Sequence, residues 1–487
     1  MILSLDIGSS SVRASLYDFE ANAIPRAFAK IGRSLVVTSD GGAEMDADEA
    51  LAQVAAVVDA VLEKTTKIKG DIEYVASCSF WHSLVGVDAT GKPTTKVFGW
   101  ADTRSRKYTY ILRKQFDETA RHNRTGARFH SSFWPVKLLW LRKEFPDVFA
   151  KTVQWLSFSD YVSLKLFGNT TTSVSMASGT GIFDIRKCEW DSELLKFLKI
   201  KPSNLPAIAE KDSDTFILNK KHAKRWPRLS ASKWFPAISD GAADNIGAQC
   251  LTKPRAALMV GTSGAMRVAY TGDPPAQIPD GLWCYRVDRK RVIIGGALSD
   301  GGGLYHWLKQ NLNLPHDAES QVAKRAPGSH GLTFLPFLAG ERGTGYNESA
   351  TGAILGLRSG TDTVDILQTA LESVAYRFYE IFDQLNSVVN VKEIVATGGA
   401  LRASPVWAQI IADVLGRDLI MNNFRESSSR GVVLFALESI GKIRHHREIH
   451  LESKGKVKSD ANTHRIYRNF RAAHRASYKK LLNQPDV

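Results

Sequence analysis

Two short segments of this chain set glycine and hydroxyl side chains at the end of an apolar run. The first is Asp6-Ile7-Gly8-Ser9-Ser10-Ser11-Val12-Arg13, and the second is Val260-Gly261-Thr262-Ser263-Gly264. In a glycine turn, successive backbone N–H groups point into one concavity. With the hydroxyls they make a donor surface for phosphate oxygens. Asp6, at a strand end, offers the oxygen ligands that Mg²⁺ takes, and Arg13 adds charge. Taken singly, each turn reads equally well as an ordinary hairpin; one in each half of the chain is the stronger signal. Neither GxxxxGK[ST] nor GxGxxG occurs, which disfavours P-loop NTPases and the standard dinucleotide fold.

Asp240 follows an apolar strand, Trp234 to Ser239, and precedes Gly241-Ala242-Ala243, which would open a helix. A carboxylate so placed can take the proton of a hydroxyl as it attacks a phosphoryl group; a plain helix cap fits the same residues. Asp244 and Asn245, a turn further on, read as structural. Trp81-His82 and Trp100-Ala101-Asp102-Thr103-Arg104 suit a polyhydroxylated ligand, with aromatic faces on C–H groups and polar groups on hydroxyls. His445, His446 and His450 lack HExxH spacing and carry no metal expectation.

The elements that must position these residues alternate between strand and helix. Ile2–Leu5 and Val12–Tyr17 read as a hairpin, Asp48–Lys64 as a helix, and Ile72–Cys78 and Leu84–Val87 as strands. Residues 107–200 are mostly helical. Past the midpoint the pattern returns: Ala256–Val260, turn, Met266–Tyr270, then Ile394–Ala396 ending at Thr397-Gly398-Gly399-Ala400. Pro405–Leu415 is amphipathic, with Ser404 as its N-cap. This weak internal repeat fits two related α/β domains facing each other across a cleft, at 1–238 and 239–440, followed by a basic helical tail at 441–487.

Composition bounds the rest. The chain has 487 residues, 44% of them hydrophobic and 23% charged, which excludes disordered, collagen-like and disulfide-scaffold classes. The four cysteines form no CxxC pair and read as thiols of a reducing compartment. No run approaches the roughly 18 apolar residues that span a bilayer, so the expectation is a cytoplasmic protein with no membrane partner. Of the net charge of +14, +8 lies in residues 441–487, where twelve Lys/Arg meet four Asp/Glu. A basic helical face of this kind is more often solvated than bound to nucleic acid, which is disfavoured as a partner.

DIGSSSVRA, WADTR, SDGAADN, GTSGA, LPFLAGER and TGGALRASPVW occur in the order seen in the FGGY carbohydrate kinases, and the resemblance runs from Met1 to about Ile440. GAILGL, seven residues, DILQTALE resembles the family's C-terminal signature, departing at Thr369. SSFWPVKLLWL resembles the N-terminal signature around Lys137, departing at Trp134. The resemblance implies two actin-like (ribonuclease H-like) domains flanking a nucleotide- and sugar-binding cleft, with ATP and Mg²⁺ as cofactors. It implies Asp240 as catalytic base, Asp6 as the metal-associated carboxylate, and Ser9, Ser10 and Arg13 in the first phosphate loop. Gly261 and Thr262 fall in the second loop, with Gly302, Gly399 and Ala403 near the nucleotide. Trp81, His82, Asp102 and Arg104 fall on the sugar side.

SFWHSLVGVD, GWADTR and GLWCYRVD…GGALSDGGG resemble the gluconate kinase branch most, while xylulose and other pentulose kinases share the skeleton. A gluconate carboxylate would need Arg or Lys; Arg104, Arg128 and Lys137 are the candidates. The different-class alternative is a non-catalytic sugar or nucleotide sensor, against which the retained Asp6 and Asp240 count. The expected partners are thus a sugar or sugar acid and ATP, with a homodimer left open.

Overall fold

The structure is a computed structural model and describes residues 1–422, 426–446 and 453–482. Its frame is two mixed sheets with a common strand order. In the first, Ile2–Ile7 and Ser11–Tyr17 form an antiparallel hairpin, and Ala23–Gly32 continues it outward. On the other side of Ile2–Ile7 run Tyr74–Ser79 and then Lys233–Trp234, both parallel. Ile238–Ser239 also pairs with Tyr74–Ser79. Pro236 separates those two short strands, since it has no N–H for the ladder.

The second sheet repeats this order. Arg255–Val260 and Gly264–Thr271 form the hairpin, Arg291–Leu298 continues it, and Glu393–Thr397 and Leu419–Asn422 add parallel strands on the other side. Trp283–Arg286 and Ser453–Val457 extend its two edges. The internal repeat read from the turns is therefore a repeat of topology, and the pair of domains is the actin-like, ribonuclease H-like architecture.

Local signals explain the helices that matter. Asp46 caps Ala47–Lys64, accepting from Asp48 and Glu49 N–H at 3.0 and 3.1 Å. Asp362 and Asp365 form a capping box on Thr363–Val389, whose Val364, Leu367, Leu371, Val374, Phe378, Ile381 and Leu385 lie on one buried stripe. That stripe packs on the second sheet and forms the largest core. Ser404 caps Pro405–Leu415, so this helix begins and ends where its pattern predicts.

The domains meet through two crossing helices, Asp240–Gly247 and Ser427–Ser439. A Cβ on Gly247 would stand 1.9 Å from Ser427 O, and one on Gly431 1.8 Å from Ala243 O. Backbone touches backbone there, which only glycine allows. Ser4, a polar residue in the fully buried strand Ile2–Ile7, donates to Ser429 O at 3.0 Å and ties the first sheet to the same crossing. The helix that begins at Asp240 is thus held from both sides.

The basic tail is not helical throughout. Ser453–Val457 pairs antiparallel with Leu419–Asn422 before the helix Ala461–Leu482 lays Tyr467, His474 and Tyr478 onto the second domain. Among the described residues no helix is long and apolar enough to cross a membrane.

Candidate active site

The first turn is closed by Gly8 N–H on Ser11 O at 3.0 Å, and Arg33 Nε donates to Gly8 O at 2.8 Å. Ser9 is partly exposed and Ser10 exposed. In the second turn Gly261 N–H donates to Ser263 O at 3.0 Å, and Thr262 is exposed. Gly301 and Gly303 N–H donate to Thr262 O at 3.1 and 2.8 Å, and Gly302 N–H to Gly261 O at 2.8 Å. A Cβ on Gly302 would lie 2.7 Å from Gly261 O and 3.2 Å from Ala400 Cβ. Gly398, at φ +91°, would put a Cβ 2.3 Å from Val260 O; this position needs both the left-handed backbone and the missing side chain. Gly261, Thr262, Gly302 and Gly399 therefore share one wall, and Ala403 is exposed at the end of the short helix Gly399–Ala403.

Asp6 is buried at 3% exposure near the end of its strand. Its Oδ2 receives Arg13 at 2.9 Å, whereas among the described residues Oδ1 has only the Cys78 thiol at 3.5 Å. Asp240 is the first residue of its helix, capped by Ser239 Oγ on Ala242 N–H at 3.1 Å. Burial first, and the Asp6 charge second, push the Asp240 carboxyl up to about 6. Asp244 accepts from Arg267 at 2.7 Å and from Thr397 at 3.1 Å, and it adds to the negative potential at Asp240. Carboxylates from both domains thus converge between the glycine turns. The donor set is all hard oxygen, and Asp6 Oδ1 lacks a strong donor, so the arrangement fits a divalent cation.

Beside Asp240 lies an aromatic chamber. Trp81 Nε1 donates to Ser175 O at 2.9 Å. Its indole fills a slot cut by two glycines: a Cβ on Gly179 would be 2.3 Å from Trp81 Cδ1, and one on Gly241 2.7 Å from Cζ3. Tyr285 and Trp283, from the second domain, meet the indole edge-on at 4.9 and 5.7 Å. His82 sits at φ +69°, with Nδ1 2.6 Å from Gly179 O. A carbonyl only accepts, so Nδ1 carries the proton. Burial, then the nearby Arg342 charge, hold the imidazole well below its usual range. The ring is neutral, and Nε2 is left as an acceptor for a hydroxyl. The Tyr285 and Tyr346 hydroxyls are buried without a hydrogen-bond partner among the described residues, which a polyol would supply.

The cations of this region differ in availability. Arg104 is bound to Asp102 and Glu44, both at 2.5 Å, and buried Asp102 also accepts from Ala43 N–H at 3.1 Å. These two predicted sugar-side residues are thus occupied with each other. Arg128 pairs with Glu118 at 2.8 Å and lines a different cavity. Lys137 is fully buried, donates to Ser131 O at 2.5 Å, and is lowered to about 8 by desolvation.

The residue missed by sequence reading is Arg342. Its guanidinium lies 4.5 Å over the Trp100 ring, close enough to His82, Lys137 and Asp240 for mutual charge effects, and makes no hydrogen bond or ion pair among the described residues. The quoted LPFLAGER segment contained it, but nothing in its spacing pointed to Trp100. The tail histidines gather elsewhere: ligand atoms of His445, His446 and Glu438 lie within 4.8 Å of one another. Glu438 is already taken by Arg291 at 2.6 Å, and His450 lies outside the described residues.

Two actin-like domains with paired glycine turns, and a buried carboxyl of raised pKa beside an aromatic chamber, have the framework of a phosphotransferase. Residues 1–243 match the N-terminal domain, and residues 256–439 the C-terminal domain, of the FGGY family of carbohydrate kinases. The chain belongs to that family and is a carbohydrate kinase. It is 28% identical over 463 residues to a gluconokinase of Bacillus licheniformis, covering 91% of this chain and 88% of the relative. A gluconate kinase structure from Lactobacillus acidophilus superposes with a TM-score of 0.89 at 26% identity, over 99% of this chain and 98% of that one. A ligand-bound xylulose kinase from the same organism gives the same score, identity and coverage.

Proposed function

We propose that the protein transfers the γ-phosphoryl group of ATP to a terminal hydroxyl of a sugar acid, D-gluconate, giving 6-phosphogluconate. The observation that carries the choice of sugar is Arg342. A guanidinium without a carboxylate partner among the described residues, set in the chamber that holds Trp81 and His82, suits the one feature separating gluconate from neutral polyols. Lys137 is the second cation of that chamber; a bound carboxylate would raise its pKa from about 8.

In this reading the hydroxyls and the remaining backbone N–H groups of the turns receive the phosphates, at Ser9, Ser10, Thr262 and Ser263, since the Gly8 and Gly261 N–H groups close the turns themselves. Mg²⁺, held by Asp6 and water, would neutralise charge on the transferring group. Trp81 and His82 orient the sugar, with Nε2 accepting from one hydroxyl. Asp240, at about 6, is mostly ionised at neutral pH yet basic enough to take the proton of the attacking hydroxyl. Little covalent work falls to the protein, so positioning and electrostatics dominate.

The equal match to a xylulose kinase structure favours a second reading, a pentulose kinase on the same machinery. Calorimetric titration separates the two, with D-gluconate compared with D-glucitol, which has CH₂OH in place of the carboxylate. Gluconate is expected to bind at least about tenfold more tightly, the effect of one charge-assisted contact. Equal affinities, or tighter binding of D-xylulose, would remove the basis for the sugar-acid reading.

A further inference from the structure

A cavity of ≈ 610 Å³ lies between the helix Thr363–Val389 and the C-terminal helix Ala461–Leu482, and Arg128, Asp280, Thr344 and Gly345 complete its wall. None of the residues placed above in the phosphate turns or the sugar chamber lines it. Its size is that of a small-molecule site, and its charge is one-sided. Arg468, Arg471, Arg475 and Lys479 fall three and four residues apart and line it along one face of the C-terminal helix. Arg471 rests against Tyr379 and donates to Val414 O at 3.1 Å. Arg468, Arg475 and Lys479 make no hydrogen bond or ion pair among the described residues. Of the facing carboxylates among the described residues, Glu380 is bound by Arg377 and Asp280 lies 3.4 Å from Arg128, which leaves Asp383 alone against the row. Like charges at this helical spacing repel one another, and a bound anion relieves that repulsion.

The floor of the cavity reaches the sugar chamber through one buried carboxylate. Arg377 and Tyr478 both line the cavity and both bind Glu341, the tyrosine at 2.6 Å. Glu341 also accepts from Gly345 N–H at 3.0 Å and Asn347 N–H at 3.3 Å, so it holds the loop together. The next residue along the chain is Arg342.

We propose that this cavity binds a small anion carrying two or more phosphate charges, and that the bound anion acts on sugar affinity through Arg377, Glu341 and the loop that carries Arg342. Guanidinium groups match phosphate in bidentate fashion. An anion that draws Arg377 from Glu341 loosens that loop, so the KM for the sugar rises. The proposal holds whichever sugar the kinase phosphorylates.

The test is calorimetric titration of the full chain with inorganic pyrophosphate, with Mg-ADP saturating so that the catalytic phosphate positions are filled. One pyrophosphate per chain is expected, with affinity falling as salt rises from about 50 to about 300 mM. The triple variant Arg468→Ala, Arg475→Ala, Lys479→Ala is expected to bind at least about tenfold more weakly, with kcat and KM unchanged when pyrophosphate is absent. In the wild type pyrophosphate raises the sugar KM; in the triple variant it does not. Arg475→Ala alone should fall between the two and serves if the triple variant folds poorly. Undiminished binding in these variants, or no binding once ADP saturates, overturns the site. A KM response that persists without the three cations overturns the coupling.

Discussion

Replacing Asp240 with Asn removes the carboxylate while keeping its shape at the start of the helix Asp240–Gly247. In the folded protein this carboxyl titrates at about 6 against an ordinary 3.8, because burial and Asp6 disfavour its charge. A raised folded pKa means the native state keeps its proton to higher pH than the unfolded chain does. The ionised group therefore costs stability that is fully present above pH 6, shrinks as pH falls toward 3.8, and is absent below that. A rise from 3.8 to about 6 corresponds to roughly 3 kcal/mol at pH 7. Asp240→Asn carries no such cost, so urea unfolding should find it more stable than wild type at pH 7, by up to roughly 3 kcal/mol, and equal to it near pH 4. Turnover moves the other way. General-base assistance contributes about 10²–10⁴-fold, so a coupled ADP-release assay should show kcat down at least a hundredfold with the sugar KM largely kept. Wild-type kcat/KM should fall with a single protonation near pH 6, and the residual activity of the variant should not. Wild-type turnover in the variant would refute Asp240 as the base. A variant less stable than wild type at pH 7 would refute the account of its strained charge.

The remaining perturbations test the parts around that carboxylate. Arg342→Gln should lower kcat/KM on gluconate by about 10–150-fold, the equivalent of about 1.5–3 kcal/mol for a hydrogen bond to a charged group. It should change turnover on a neutral ketose less than about threefold; equal losses on both would mean a structural role. His82→Ala should raise the sugar KM about tenfold by removing one acceptor. Because burial holds His82 well below its usual range, wild-type sugar affinity should show no imidazole step between pH 6 and 8. Gly431→Ala gains up to about 1 kcal/mol of helix propensity but sets a Cβ 1.8 Å from the Ala243 carbonyl. The clash is with backbone that cannot yield, so a net loss of about 1–3 kcal/mol is expected in thermal unfolding. An unchanged Tm would show that the domain crossing has slack.

What the sequence discloses is what local chemistry dictates. The hairpin turns at Gly8–Ser10 and Gly261–Ser263, the strand ending at Thr397 and the helix Pro405–Leu415 all follow from glycine, capping and periodicity within a few residues. The pairing of Arg104 with Glu44 is not legible in the sequence, because the two lie 60 residues apart. Arg342 was invisible for the same reason. It sits in a loop without periodicity, and its partner Trp100 belongs to the other domain. The strand Ser453–Val457 reads as part of a basic helical tail, since its lysines alternate as well with solvent as with a core. Only the exposed edge at Leu419–Asn422 makes it a strand.

Arg342, without an ion-pair partner among the described residues, sets a sugar acid apart from the neutral substrates of the same fold. Steady-state ADP release with Mg-ATP on D-gluconate, D-xylulose, L-ribulose and glycerol decides between them. A kcat/KM on gluconate at least about tenfold above each of the others is expected, the least that one charge-assisted contact contributes. Faster turnover of a ketose or of glycerol would overturn the assignment of Arg342 to a substrate carboxylate.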